Sequence, residues 1–238
     1  YNVVRKIAGS LTTALRYLTT ATRLEQKDYS ALYRDVENVY LRLLEKAEAG
    51  SDFQKMWYSR YVSMSKSDTH LNNLLNVLQG EKSYDGLTID QDKRWSLILK
   101  LNAFNHKYGL ELARKESLKD GTSRGKKMMI ASEAIRPDWA TKQKWIAEYL
   151  KNKSKYSFSD LKTVLRNLFP RHQSKLRSNY VDFFKDMNWV NNNKSLDVAE
   201  KFTVLSTQNC LQETINAQDK FIKLSLIHIS EPTRRTPI

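Results

Sequence analysis

The sequence predicts an all-α protein, an irregular superhelical or bowl-like array of about ten or more antiparallel helices. Three observations predict it. The 238 residues hold only 7 Gly and 4 Pro, too few chain-breakers for an all-β sandwich, which needs a turn signal every ~8–12 residues. Apolar residues recur at helical spacing along almost the whole chain. No segment shows the sustained alternation of a half-buried strand.

The elements follow in order. Tyr29, Leu32, Tyr33, Val36, Tyr40, Leu43 and Leu44 keep the i, i+3, i+4, i+7 rule. Leu71, Leu74, Leu75 and Leu78 repeat it, with Gly80 as a terminating glycine. Leu161, Val164, Leu165, Leu168 and Phe169 repeat it again up to Pro170, which cannot continue a helix. Ser51 with Gln54 has capping-box spacing, while Asp90, Asp138 and Ser159 are placed to cap the helices that follow them. The pattern predicts helices over 3–22, 29–48, 52–65, 68–79, 91–106, 109–118, 123–135, 139–151, 159–168, 171–186, 195–205 and 211–223. Short linkers favour antiparallel hairpins, and a row this long forms a HEAT-like superhelix or bowl rather than one four-helix bundle.

The domain expected from this pattern is 1–223. Residues 224–238, LSLIHISEPTRRTPI, break the helical pattern and resemble a translated sequencing adapter. They are excluded from fold and function as a non-native tail, which removes His228 as a ligand candidate. A start without Met and an adapter-like end predict a fragment of a longer gene product.

Charge and motif counts limit the chemistry. The chain has 40 Lys+Arg against 26 Asp+Glu, a net charge of +14. Stretch 90–190 holds 22 basic and 11 acidic side chains and so carries most of that excess. Such a balance can attract nucleic acid, acidic lipid or an anionic substrate group. Trp95, Trp145 and Tyr149 lie there among basic residues, yet at helical spacing, so they read as core; no helix-turn-helix, zinc-finger or RNA-recognition signature is present. No apolar run approaches the ~20 residues of a membrane helix.

One cysteine, Cys210, allows no internal disulfide and reads as a small buried hydrophobe; the lack of a disulfide framework fits a cytoplasmic setting. His70, His106 and His172 are scattered, outside any H-E-x-x-H motif, and read as surface residues, so no metal site is expected. Gly121-Thr122-Ser123-Arg124-Gly125-Lys126-Lys127 has the wrong count for a phosphate loop, and Gly125 reads as a close-packing position near a helix start. With no hydrolase elbow either, the chain is not a self-sufficient enzyme by local evidence, and no catalytic residue is named.

Three stretches carry a family resemblance. They are Ala49-Gly50-Ser51-Asp52-Phe53-Gln54-Lys55-Met56-Trp57 with Leu78-Gln79-Gly80; Gly86-Leu87-Thr88-Ile89-Asp90-Gln91-Asp92-Lys93-Arg94-Trp95; and Glu116, Asp120, Thr122 and Gly125 with Arg136-Pro137 and Lys142 to Trp145. In this order and spacing they resemble the C-terminal helical domain of bacterial aminopeptidase N, of the gluzincin class. The resemblance implies a parent zinc aminopeptidase that removes N-terminal residues from peptides, with zinc and catalytic motifs outside this chain and no cofactor within it. It also implies two partners, the catalytic domain of the same polypeptide and a peptide substrate. The domain would cap the active-site chamber and help admit and hold peptide. Arg94 is the one residue named for substrate binding, through the peptide carboxylate. The plainer alternative pairs Arg94 with Asp90, four residues earlier on the same helix. The competing function is an independent basic scaffold that binds nucleic acid or protein.

Overall fold

The structure is a computed structural model that describes residues 1–25, 28–180 and 182–205 and the isolated positions 215, 216 and 219. Every regular element among them is helical, so the all-α class holds. The chain divides into two compact units, Tyr1–Arg136 and Pro137–Ile238.

The first unit contains α1 (Asn2–Glu25), α2 (Ser30–Lys46), α3 (Asp52–Met64), α4 (Asp68–Gln79), α5 (Gln91–Ala103), α6 (Gly109–Lys119) and α7 (Ser123–Ala134). Helices adjacent in sequence pack on one another, as α2 on α3, α4 on α5 and α6 on α7. Their apolar faces meet in a core where Leu44, Tyr61, Leu74, Trp95, Leu97, Ile98 and Leu101 are shut off from solvent. The chain leaves α4 through Gly80 at φ +83°, with Glu81 N–H closing back on Asn76 O at 2.9 Å. It leaves α5 earlier than periodicity predicts. Asn105 takes φ +56°, and buried Asn102 donates to Ile98 O and Gly109 O, so the expected extension to 106 stops at Ala103.

The second unit contains α8 (Trp139–Leu150), α9 (Phe158–Leu168), a 3-10 turn (Arg171–Gln173), α10 (Ser174–Arg177), α11 (Phe183–Asn193), α12 (Leu196–Phe202) and a 3-10 turn (Thr203–Leu205). Two sequence expectations are corrected here. The single helix expected over 171–186 is broken after Arg177, because Asn179 and Tyr180 N–H close tight turns on Leu176 O and Arg177 O. Tyr180 is buried by this break, and its hydroxyl donates to Asp186 in the next helix at 2.8 Å. The cap of α9 is Ser157 rather than Ser159; it forms a full capping box with Asp160. The helix expected over 211–223, Cys210 and the tail 224–238 lie outside the described residues apart from the three isolated positions.

The core of this unit is aromatic. Phe202 stacks on Tyr149 at 5.2 Å and on Phe183 at 5.5 Å between ring centroids. Two cations are buried in it. The Arg177 guanidinium lies 5.0–5.5 Å from the ring centroids of Phe169, Tyr180 and Phe183 and donates to Leu205 O. Lys142 is fully buried, its Nζ 5.6 Å from the Phe169 centroid. Burial lowers the Lys142 pKa to about 7 and that of Arg177 to about 10.

At Gly86 two backbone segments cross with no room for a side chain. Gly86 has φ +75°, and a Cβ there would fall 2.7 Å from the Ala49 carbonyl carbon and closer still to the Gly50 nitrogen. Gly80 has nearly the same backbone but open space around it. Gly80→Ala therefore costs about 1 kcal/mol for left-handed strain alone, whereas Gly86→Ala costs at least about 3 kcal/mol, read by urea unfolding.

Lys142 sets a pH dependence. Its folded pKa lies below its unfolded value, so its contribution to stability is present above the unfolded pKa and is lost as pH falls toward 7. Stability of the second unit should rise from pH 7 toward 10, where buried Tyr149, whose pKa is raised by burial, begins to oppose it. Lys142→Met should raise the unfolding free energy at pH 7 by on the order of 2 kcal/mol and flatten that rise. Calorimetric scans at pH 7 and 9 measure both.

Candidate functional site

Most of the residues that carry the family resemblance converge in the first unit; Pro137 and Lys142 to Trp145 belong to the second. Ser51 caps α3, accepting from Gln54 N–H at 3.1 Å. The reciprocal half of the capping box is displaced by one residue, because Gln54 Oε1 accepts from Gly50 N–H instead. Gln54 Nε2 then donates to Asp85 O at 2.8 Å, tying the α2–α3 turn to the loop before α5. The Gly50–Gly86 crossing sits beside this bond; it leaves no room for a Cβ at residue 86, while Gly50 suits its left-handed φ of +73°.

The second and third stretches meet across α5, α6 and α7. Asp90 caps α5 by accepting from Lys93 N–H at 2.9 Å, and its other oxygen takes the Lys93 ammonium. Asp90 therefore does not pair with Arg94, contrary to the spacing-based alternative. Arg94 turns to Glu116 on α6 in a bidentate pair, Nε to Oε1 at 2.9 Å and Nη2 to Oε2 at 2.7 Å, while Nη1 donates to Leu78 O. Gln91 Nε2 adds a bond to Glu116 at 2.8 Å. One residue on, the buried Trp95 indole N–H donates to Asp120 Oδ2 at 2.8 Å. The other Asp120 oxygen accepts from the Thr122 hydroxyl at 2.6 Å, and Thr122 caps α7 through Gly125 N–H.

Gly125 answers the phosphate-loop likeness. A Cβ there would lie 2.7 Å from Asp120 Cγ and closer still to the Asp120 carbonyl oxygen. Asp120 fills the space beside the Gly125 Cα, and its Oδ1 accepts from the Thr122 N–H and hydroxyl of the same loop. The electrostatics agree: hydrogen bonds from Arg94 hold Glu116 below the usual carboxylate range, and bonds from Thr122 and Trp95 do the same for Asp120. Glu116 in turn raises the pKa of Arg94.

Sequence reasoning missed a second polar centre. Glu37 is fully buried on α2 and accepts Lys66 N–H at 2.5 Å, Ser67 N–H at 2.9 Å and the Ser67 hydroxyl at 2.7 Å. It satisfies the start of α4 from a neighbouring helix, where negative charge also suits the helix dipole. His70, expected at the surface, is buried beside it: Nδ1 lies 2.9 Å from Tyr61 Oη and Nε2 lies 4.0 Å from Glu37. Asn73 Nδ2 donates to Tyr61 Oη at 2.7 Å, so the Tyr61 hydroxyl joins Asn73 to the buried imidazole. Burial also lowers the pKa of nearby Lys66 and Lys100 to about 8. A signal existed in the sequence: Glu37 follows Tyr33 by four residues and precedes Tyr40 by three, so it lies on the apolar face of α2.

Among the described residues no three His, Cys, Asp or Glu side chains stand close enough to hold one metal ion. No helix among them is long and apolar enough to cross a membrane. What the arrangement does chemically is fix helix ends and helix pairs through buried carboxylates. A nucleophile-and-base pair is not formed by the residues that the resemblance marks.

No family model matches the chain. Its sequence is similar to aminopeptidase N of Streptomyces lividans, 26% identical over 183 residues that cover 75% of this chain and 21% of that protein. This supports a relation to aminopeptidase N and thereby to peptidases, while the chain spans about 21% of the length of the relative it matches.

The Arg94–Glu116 pair gives a direct test of the scaffold. Arg94→Ala strands a nearly buried carboxylate and should cost about 2 kcal/mol. Arg94→Lys should recover only part of that, because an ammonium cannot reproduce the bidentate fork. Urea unfolding of both variants provides the comparison.

Proposed function

We propose that this chain is the C-terminal helical portion of a bacterial zinc aminopeptidase of the aminopeptidase N type. In this reading it is non-catalytic, caps the chamber around the active site, and helps admit and hold peptide. The zinc and the residues that attack the peptide bond belong to the rest of the polypeptide. The observation that carries the reading is the similarity to aminopeptidase N over 75% of the chain. It is supported by the convergence of the resembling residues on one another, as Arg94 on Glu116 and Trp95 on Asp120.

Such contacts suit a chamber wall. Polar groups locked by two or more bonds each hold α5, α6 and α7 at fixed angles, and a wall that sorts peptides by size must keep its shape. Arg94 serves the peptide through this scaffold, its guanidinium being committed to Glu116 and Leu78 O.

The test begins with the coding sequence that surrounds this chain. It should encode H-E-x-x-H with a further glutamate ahead of these residues. The longer polypeptide should release the amino acid from an aminoacyl anilide, lose that activity to a zinc chelator, and regain it with zinc. The 238-residue chain alone should release none. A flanking frame without the zinc motif, or anilide hydrolysis by this chain after host peptidases are excluded, would overturn the proposal.

A further inference from the structure

Two ammonium groups close on the turn between α3 and α4. Lys100 on α5 donates from Nζ to Ser63 O, near the end of α3, at 2.6 Å, and the Phe104 ring centroid lies 4.9 Å from that nitrogen. Lys66, within the turn, sets its Nζ 2.9 Å from the Tyr33 ring centroid on α2. Neither nitrogen stands within ion-pair distance of a carboxylate among the described residues. Glu37 acts on both from farther off, its oxygens taken up by Lys66 N–H, Ser67 N–H and the Ser67 hydroxyl. Ser67 is the N-cap of α4 but makes no cap bond of its own, so Glu37 holds the start of that helix from α2.

The turn thus carries two cations against one buried carboxylate. Loss of one proton leaves its bonds in place: a neutral amine keeps two N–H donors, so Lys100 can still donate to Ser63 O. Burial lowers both pKa values to about 8 against the pull of Glu37, and the charge of Lys66 lowers Lys100 further. The other titratable or charged groups that face the pair are Asp28 ahead of α2, Tyr33 and Glu37 on α2 and, around Glu37, Tyr61 on α3 and His70 on α4.

We propose that the α3–α4 turn is a pH-sensitive joint, which tightens on α2 and α5 when the Lys66–Lys100 pair gives up a proton and loosens when the pair takes it back. In an opened turn both side chains reach water, where lysine keeps its proton up to about pH 10.4. Protonation therefore favours the open form. Closure strengthens from pH 7 toward 10 and changes little below 7, since both folded values lie below the unfolded ones. The device belongs to the first unit and holds whatever larger protein the chain is part of.

Amide hydrogen exchange of the 238-residue chain at pH 7 and 9, corrected for intrinsic rates, tests it. Ser67 N–H, bonded to Glu37, and Leu71 N–H, bonded to Ser67 O, should gain about tenfold protection at pH 9 for one proton released. Leu112 N–H, bonded to Tyr108 O at the start of α6, should change by less than about twofold. The gain should shrink in Lys100→Met and vanish in Lys66→Met/Lys100→Met. No gain, an equal gain at Leu112, or a gain that survives in the double variant would overturn the proposal. Carbon NMR titration of the unsubstituted chain keeps the test open if those variants fail to fold. The Lys66 and Lys100 Cε signals, assigned with Lys66→Arg and Lys100→Arg, should have midpoints below about pH 9.5; midpoints above that value reject the joint.

Discussion

The Asp120 carboxylate is the constraint on which the arrangement of α5, α6 and α7 depends. Trp95 is fully buried, and an indole N–H shut away without an acceptor would cost on the order of 1–3 kcal/mol. Asp120 supplies the acceptor, and its second oxygen holds the Thr122 hydroxyl that starts α7. Glu116 stands one helical turn before Asp120, and Arg94 is adjacent to Trp95. Two neighbouring residues on α5 thus meet two residues a turn apart at the end of α6, which fixes both the separation and the rotation of the pair. Gly125 follows from the same contact, since any side chain there would strike Asp120.

The two units solve the burial of charge in different ways. In the first, Glu37, Glu116 and Asp120 are surrounded by donors, many of them backbone N–H groups at helix starts. These carboxylates do structural work that glycine and proline perform in chains richer in both. The second unit buries one carboxylate, Glu148, which Lys151 and Ser154 hold, and sets two cations against aromatic faces, Lys142 at Phe169 and Arg177 among Phe169, Tyr180 and Phe183. Cation–π attraction is worth only about 0.5–2 kcal/mol, and burial still pulls both pKa values down. Both units rest on apolar cores; the first satisfies its buried carboxylates with donors, while the second carries two buried cations at a cost.

Helix periodicity made most of the fold legible, because each helix buries one regular stripe and the stripe is written locally. The misreadings share a physical cause. The break after Arg177 involves no proline or glycine; it is made by a tyrosine whose burial and bond to Asp186 depend on the next helix. The cap of α9 lies two residues before the expected one because Ser157 and Ser159 are both good caps, and only the Asp160 side chain decides between them. Arg94 had an acidic neighbour at helical spacing, yet its partner lies 22 residues away on α6. Local spacing lost because Asp90 was already engaged by the first turn of its own helix. Glu37 was visible as a charge on an apolar face, but the donors that make it tolerable come from a turn some thirty residues away.

The same contacts change what the basic excess of residues 90–190 means. Charge counted along a sequence treats every lysine and arginine as available surface. Lys93, Arg94, Lys115, Arg124 and Lys151 lie in ion pairs, and Lys142 and Arg177 are buried. Lys100 donates to Ser63 O, while Lys107, Lys144 and Lys155 lie over aromatic rings. The excess is divided between two units, and part of it, as Arg94, Lys100 and Arg124, joins one helix to another. A single electrostatic footprint requires basic groups gathered on one face and exposed to a partner. Six of the eleven engage a neighbour within four positions, while Arg94, Lys100, Arg124, Lys142 and Arg177 reach another element, so part of the basic excess goes into the fold's own contacts.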